Sequence, residues 1–224
     1  MITKDELESK YAWIKGQTED PKQRNFLYNL ATMDLPRGVK YDFRDMSQDS
    51  DVVGRVQIYL EKIRNRVALG NGLFLYGAPG VGKTRVICHI MRHSAKHGLN
   101  GAYFTALGLG YEMKKAIGIP DRLSDVEDST LYRDILVIDE MGKENPDSAW
   151  YRSELERIVK FRGDNGGSMI FGTNLRWDEW KNTYGEALSE YVESNCFKLQ
   201  FFCGNYRMKK LVEFEMIMCG EKKG

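Results

Sequence analysis

Cysteine is scarce and scattered: four in 224 residues, Cys88, Cys196, Cys203 and Cys219, with no Cys-x-x-Cys pair. That spacing serves neither a zinc ribbon nor a disulfide framework, so a reduced, cytoplasmic protein is expected. Long hydrophobic runs are missing too. The purely apolar stretches end after a handful of residues, as in Ile135-Leu136-Val137-Ile138, whereas a membrane-spanning helix needs about 18 or more. The opening MITKDELESK alternates charge and has no apolar core, so neither a secretory signal nor a membrane partner is expected. An excess of one charge is also lacking, since 33 basic and 32 acidic residues leave a net charge of +1. A protein held to nucleic acid by bulk charge would be far more basic, so any such contact must come from a local patch. No internal repeat or low-complexity run is visible. With 42% apolar and 29% charged residues, the composition is that of one globular domain with a short appendage.

The first 35 or so residues read as a separate piece. Leu7, Tyr11 and Ile14 have helical spacing, as do Phe26, Leu27, Leu30 and Ala31, with a break at Glu19-Asp20-Pro21 between them. Two short amphipathic helices bury little alone, so they either pack on the main domain or hold a partner. From Tyr41 onward the pattern changes. Helical segments are expected at 52–69, 83–96, 111–117, 148–161 and 186–192, and apolar strands at 73–76, 102–105, 135–138, 169–173 and 197–202. Strands that alternate with helices, and are almost continuously apolar, indicate a parallel sheet covered on both faces. Right-handed crossovers make this a doubly wound α/β fold.

Gly77-Ala78-Pro79-Gly80-Val81-Gly82-Lys83-Thr84 fits the phosphate-binding pattern G-x-x-x-x-G-K-[ST] at every fixed position. It also stands in the required context, after an apolar strand and at the start of an amphipathic helix. Its glycines let backbone N–H groups turn towards phosphate oxygens, and the helix N-terminus adds the positive end of its dipole. Lys83 is expected to reach the β- and γ-phosphates of ATP, and the Thr84 hydroxyl to ligate Mg²⁺. Fifty-five residues on, the strand Ile135–Ile138 ends in Asp139 and Glu140. Asp139 is placed to hold Mg²⁺, and Glu140 to polarise an attacking water as general base. Asn174, at the tip of the next apolar strand, is a candidate for bonding the γ-phosphate or that water.

Taken in order, the phosphate loop, Ile-Asp-Glu-Met-Gly-Lys-Glu at 138–144, Trp150-x-Arg152, Phe-Gly-Thr-Asn-Leu at 171–175 and Gly204-Asn205-Tyr206-Arg207 resemble the AAA+ helicase loaders of the DnaC/DnaI type. They are similar also to the IstB-type transposition ATPases. The likeness runs from about Tyr41 to Arg207. It implies a P-loop AAA+ domain over 41–207; outside it, the residue pattern leaves a short helical N-terminal extension over 1–40, a candidate partner-docking element, and a helical tail over 208–224. It further implies ATP and Mg²⁺ as cofactors, Asn174 as sensor 1, and Arg207 as an arginine beside the nucleotide of its own subunit. The implied function is delivery of a replicative hexameric helicase onto DNA during replication initiation. Two alternatives are an IstB-like accessory ATPase acting on duplex DNA, and a nucleotide-dependent adaptor with little hydrolysis. A loader this compact points to a mobile-element or phage origin.

Two departures stand out. No cysteine precedes Cys88, so the zinc module carried by some loaders is not expected. Where the family has an arginine within an acidic-Arg-aliphatic triplet, this chain has Glu190-Tyr191-Val192, so the position of the trans-acting arginine finger holds a tyrosine. Either Arg152 or Arg162 substitutes, or the protein hydrolyses slowly and awaits an arginine from a partner; the second is favoured here. Tyr103, Phe104, Lys114 and Lys115, with Tyr111 nearby, offer aromatic faces and cations for weak binding of single-stranded DNA. His89, His93 and His97 recur at i, i+4, i+8, a stripe read as a solvated helix edge rather than a metal site.

Overall fold

The computed structural model describes residues 4–36, 39, 50–144 and 149–202. Five strands form one all-parallel sheet: β1 (Gly72–Gly77), β2 (Gly101–Thr105), β3 (Ile135–Met141), β4 (Ser168–Thr173) and β5 (Cys196–Phe201), in the order β2-β3-β4-β1-β5. Successive residues of each strand point to opposite faces. Leu73, Leu75, Ile135, Val137, Ile170 and Leu199 therefore pack with α3 (Ser50–Glu61), α4 (Ile63–Ala68) and α5 (Lys83–Lys96). Phe74, Phe104, Leu136, Ile138, Met169 and Phe171 pack with α6 (Ala106–Ala116), α7 (Pro120–Glu127), α8 (Ala149–Asp164) and α9 (Trp177–Asn195). Burial on both faces is why β1, β3 and β4 read as largely apolar runs, whereas the edge strand β5 alternates, with Leu199 and Phe201 buried and Phe197 and Gln200 exposed. The expected doubly wound α/β sheet is what forms.

The N-terminal helices are α1 (Lys4–Gln17) and α2 (Pro21–Thr32). Asp20 caps α2 by accepting from the Lys22 N–H at 2.9 Å, and Pro21 opens the first turn, where a missing donor costs nothing. Past its end, Met33 and Leu35 enter the core, and Phe26 and Leu30 pack against it. The Met33 carbonyl accepts from the Tyr103 N–H at 3.2 Å, so this segment covers the outer edge of β2. Of the two placements open for these helices, α2 takes packing on the main domain. In α1, Ile14 is buried while Tyr11 and Trp13 stay exposed.

Some elements differ from the sequence expectation. The helix expected at 52–69 breaks at Lys62 into α3 and α4. Helix α6 starts at Ala106 rather than residue 111, because Thr105 caps it by accepting from the Gly108 N–H at 3.0 Å. Helix α7 and the π-helical turn Asp128–Tyr132 behind it were not foreseen. Helix α9 spans 177–195 with a kink at Gly185, whose backbone is not helical (φ 83°); the part after the kink meets the helix expected at 186–192, and the part before it, 177–184, is additional. The expected tail over 208–224 lies outside the described residues. Among those described, no helix is long and apolar enough to cross a membrane.

Candidate nucleotide-binding site

The C-terminal ends of β1, β3 and β4 meet at the loop joining β1 to α5. Gly77, Gly80 and Gly82 of that loop have φ of 145°, 82° and 102°, a region in which side-chain-bearing residues are strained. Gly77 is needed for space as well, since a Cβ there would lie 2.5 Å from the Phe201 carbonyl oxygen. Gly82 is the N-cap of α5 and, like any glycine, offers no side chain to its first-turn amides. No acidic residue stands in that turn either. Uncapped amides at the positive end of a helix suit a phosphate.

Lys83 is buried and folds back over the loop. Its ammonium donates to the carbonyls of Gly77 at 2.7 Å and Ala78 at 2.8 Å, and to Asn174 Oδ1 at 2.8 Å. The structure thus brings Lys83 and Asn174 into direct contact although 91 residues separate them. Thr84 Oγ1 donates to Asp139 Oδ2 at 2.7 Å. Asp139 is held from two further sides: its Oδ2 accepts from the Tyr103 hydroxyl at 3.0 Å, and its Oδ1 from the Glu140 N–H at 2.8 Å. A hydroxyl and a carboxylate side by side form a hard-oxygen pair of the kind Mg²⁺ takes, together with phosphate and water oxygens. Among the described residues no group of three or more His, Cys, Asp or Glu could hold a metal on its own, the histidine stripe of α5 included. The rings of His93 and His97 instead stack at 4.3 Å.

Sequence reasoning passed over several residues here. Tyr103, in sequence a candidate for stacking on DNA, donates instead to Asp139; burial and that carboxylate push its phenol pKa up, which keeps it a donor. The same burial, with Asp139 second, raises the Cys88 thiol to about 12, so it remains a thiol. Gly172 is required on β4, because a Cβ there would lie 2.0 Å from Asp139 Oδ1. Strand alternation could have revealed Tyr103, which pairs with Val137 on β3 and so shares a face with Asp139 two residues on. Gly172 stands in the Phe-Gly-Thr-Asn-Leu motif at 171–175, but nothing local shows that it makes room for Asp139.

Glu140 has φ 60°, a left-handed conformation that costs a non-glycine residue energy. A bulge produces it, since Asp139 and Glu140 together face only Gly172 between the pairs Ile138–Phe171 and Met141–Thr173. The Glu140 carboxylate is half-exposed and ion-paired to Lys143 at 2.8 Å. Arg207, the remaining expected site residue, lies outside the described residues, as does the Gly204–Arg207 motif.

Two expectations are overturned by burial. Tyr103 and Phe104 belong to the core, so they cannot stack on bases; the exposed groups nearby are Tyr111, Lys114 and Lys115 on α6, with the Lys115 ammonium 4.2 Å from the Tyr111 ring centroid. Arg162 cannot serve as a trans-acting finger. It is 0% exposed, and its guanidinium donates to the carbonyls of Thr130, Leu131, Asp134 and Ser168, at the N-terminal ends of β3 and β4. That is the end of the sheet opposite the phosphate loop. Tyr191 is 8% exposed and donates to the Gly167 carbonyl at 3.0 Å, so position 191 faces inward as well. Arg152 is half-buried on α8.

Residues 18–210 match the family of IstB-like ATP binding proteins. No curated protein matches the chain in sequence. Among solved structures, the chain is similar to the DnaC helicase loader (22% identity, TM-score 0.62, covering 68% of this chain and 89% of that one). It is similar also to DnaI (18%, 0.60, 79% and 98%). A third likeness is to the replication initiator DnaA bound to AMPPCP and single-stranded DNA (17%, 0.56, 75% and 51%), of which this chain spans about half the length. At such identities the likenesses are of fold: the P-loop AAA+ α/β domain.

Proposed function

Because the chain belongs to the IstB-like ATP binding protein family, we propose that it is an ATP-hydrolysing AAA+ helicase loader, delivering a replicative hexameric helicase onto DNA. One observation carries the ATPase half: at the end of the sheet Lys83 donates to Asn174 and the adjacent Thr84 to Asp139, which brings three separate segments to one place. ATP supplies the transferable phosphoryl group, and Mg²⁺ neutralises charge on its oxygens. Lys83 would exchange its carbonyl partners for phosphate oxygens, and Thr84 and Asp139 would hold the cation. Asn174 orients the phosphate side, and Glu140, once free of Lys143, takes a proton from the attacking water. Arg207 is assigned to the nucleotide of its own subunit, by family likeness alone. The loader half draws on the fold shared with DnaC and DnaI and on the exposed Trp13 side chain of α1. Weak single-stranded DNA binding is placed on Tyr111, Lys114 and Lys115.

Two measurements test this reading. Equilibrium dialysis should show Mg·ATP binding that Lys83→Ala abolishes; equal affinity in the variant would remove the phosphate loop from the site. Pull-down against a replicative helicase, with and without ATP, should capture the hexamer, and deletion of residues 1–17, which leaves α2, Met33 and Leu35 on the core, should abolish capture while sparing ATP binding. The family match favours a second reading, a transposition accessory ATPase. Filaments that grow with duplex length, without helicase capture, would decide for it.

A further inference from the structure

Behind Glu140 lies a buried polar joint that the reaction, as read above, does not use. Glu144 is 8% exposed, and its Oε1 accepts from the Tyr184 hydroxyl of α9. The Gly142 N–H donates to both members, to Glu144 Oε2 at 3.0 Å and to the Tyr184 oxygen at 2.6 Å. Burial, and secondarily Glu144, raise the Tyr184 pKa, so it stays a donor at neutral pH. Gly142 is further confined by Leu175, whose side chain would come within 2.9 Å of a Cβ there. One residue earlier, the Met141 carbonyl accepts from Thr173 Oγ1 at 2.8 Å. Glu140 therefore stands in a left-handed conformation between Asp139, which the phosphate side fixes, and Gly142, which α9 fixes. A strained backbone persists only where its surroundings over-determine it.

We propose that Glu144 and Tyr184 are positioning residues for Glu140, holding its backbone in the left-handed bulge from which the carboxylate reaches the attacking water. Helix α9 begins three residues after Asn174 and returns through Tyr184 to Gly142, so one closed circuit of chain sets both Asn174 and Glu140. The inference rests on Glu140 being the general base.

The test compares Tyr184→Phe, Glu144→Ala and their double variant with Glu140→Gln, in single-turnover ATP hydrolysis and Mg·ATP binding. Temperatures are chosen at which near-ultraviolet circular dichroism shows each protein folded. Tyr184→Phe and Glu144→Ala should each lower kcat by roughly ten- to a hundredfold, the cost of a misplaced reacting group, with the ATP Kd unchanged. Because both act through one joint, the double variant should lose no more than the worse single. Unchanged kcat in both singles, beside a slowed Glu140→Gln, would overturn the positioning role, as would losses that merely follow the unfolded fraction. If Glu140→Gln is itself not slowed, the assignment of Glu140 as base fails, and the joint has nothing to position. A conservative Glu144→Gln keeps an oxygen for the Gly142 N–H and should recover part of the activity that Glu144→Ala loses; no recovery would count against the bond as the cause.

Discussion

Replacing Arg162 with alanine should cost stability, not catalysis. The guanidinium donates to four carbonyls, at 3.2 Å to Thr130, Leu131 and Asp134 and at 2.7 Å to Ser168. Burial lowers its pKa to about 10, which still leaves it charged at neutral pH. Hydrogen bonds to a charged group are worth ~1.5–3 kcal/mol each, and against them stands a desolvation penalty of several kcal/mol for the buried ion. The net contribution of the cation is therefore modest. Removing it, however, takes this donor from carbonyls in the turn before β3 and at the start of β4; at ~1–3 kcal/mol for each one left unsatisfied, the variant should lose about 3–5 kcal/mol. That is a large share of the ~5–15 kcal/mol typical of a folded domain. With a urea m-value of ~2–3 kcal/mol/M, the midpoint should fall by about 1–2 M, followed by tryptophan fluorescence. An apolar Arg162→Met should fare little better, because its side chain fills space but donates nothing to the carbonyls. Hydrolysis per folded molecule should stay at the wild-type rate. A midpoint shift under about 0.3 M (below ~1 kcal/mol), or a folded variant that has lost hydrolysis, would refute this account of Arg162.

Gly172→Ala should push the Asp139 carboxylate off Thr84, because the new Cβ would sit 2.0 Å from Oδ1. Mg²⁺ dependence of ATP binding, measured by titration calorimetry, should then weaken by about 10–100-fold, and an unchanged dependence would remove the steric argument. Turnover of the purified protein should be well below about one per minute, as in phosphoryl-transfer sites without an arginine in trans, and should not rise with protein concentration. Steep concentration dependence abolished by Arg152→Ala would instead show a relocated finger. For single-stranded DNA, Tyr111→Ala should weaken binding by roughly five- to a hundredfold if a base stacks there, read by anisotropy. Phe104→Ala should leave binding per folded molecule intact and lower stability by ~3–5 kcal/mol, since that ring lies in the core; the reverse pattern would return DNA to β2.

The phosphate loop, the Asp139-Glu140 pair and the alternation of strands with helices were legible in the chain itself. Each is a local rule: glycines where the backbone must turn left-handed, a lysine and a threonine at set offsets, and apolar runs four to six residues long. The same local reading identified Asn174 at a strand tip, but only the order β2-β3-β4-β1-β5 sets β4 between β1 and β3 and carries that amide to Lys83. Aromatic and charged residues were where local pattern failed. Tyr103, Phe104, Tyr191 and Arg162 look in sequence like surface groups available to a ligand or a neighbouring subunit. Sheet register turns Tyr103 onto Asp139, and helix packing seals Tyr191 and Arg162 against the starts of the strands. Gly172 and Glu144 fall inside motifs and Tyr184 inside none, but the role of each is invisible in sequence, because what each does depends on a residue 33 to 42 positions away. Spacing along one chain encodes which side of an element a residue faces. What lies opposite that side is decided only when the sheet closes.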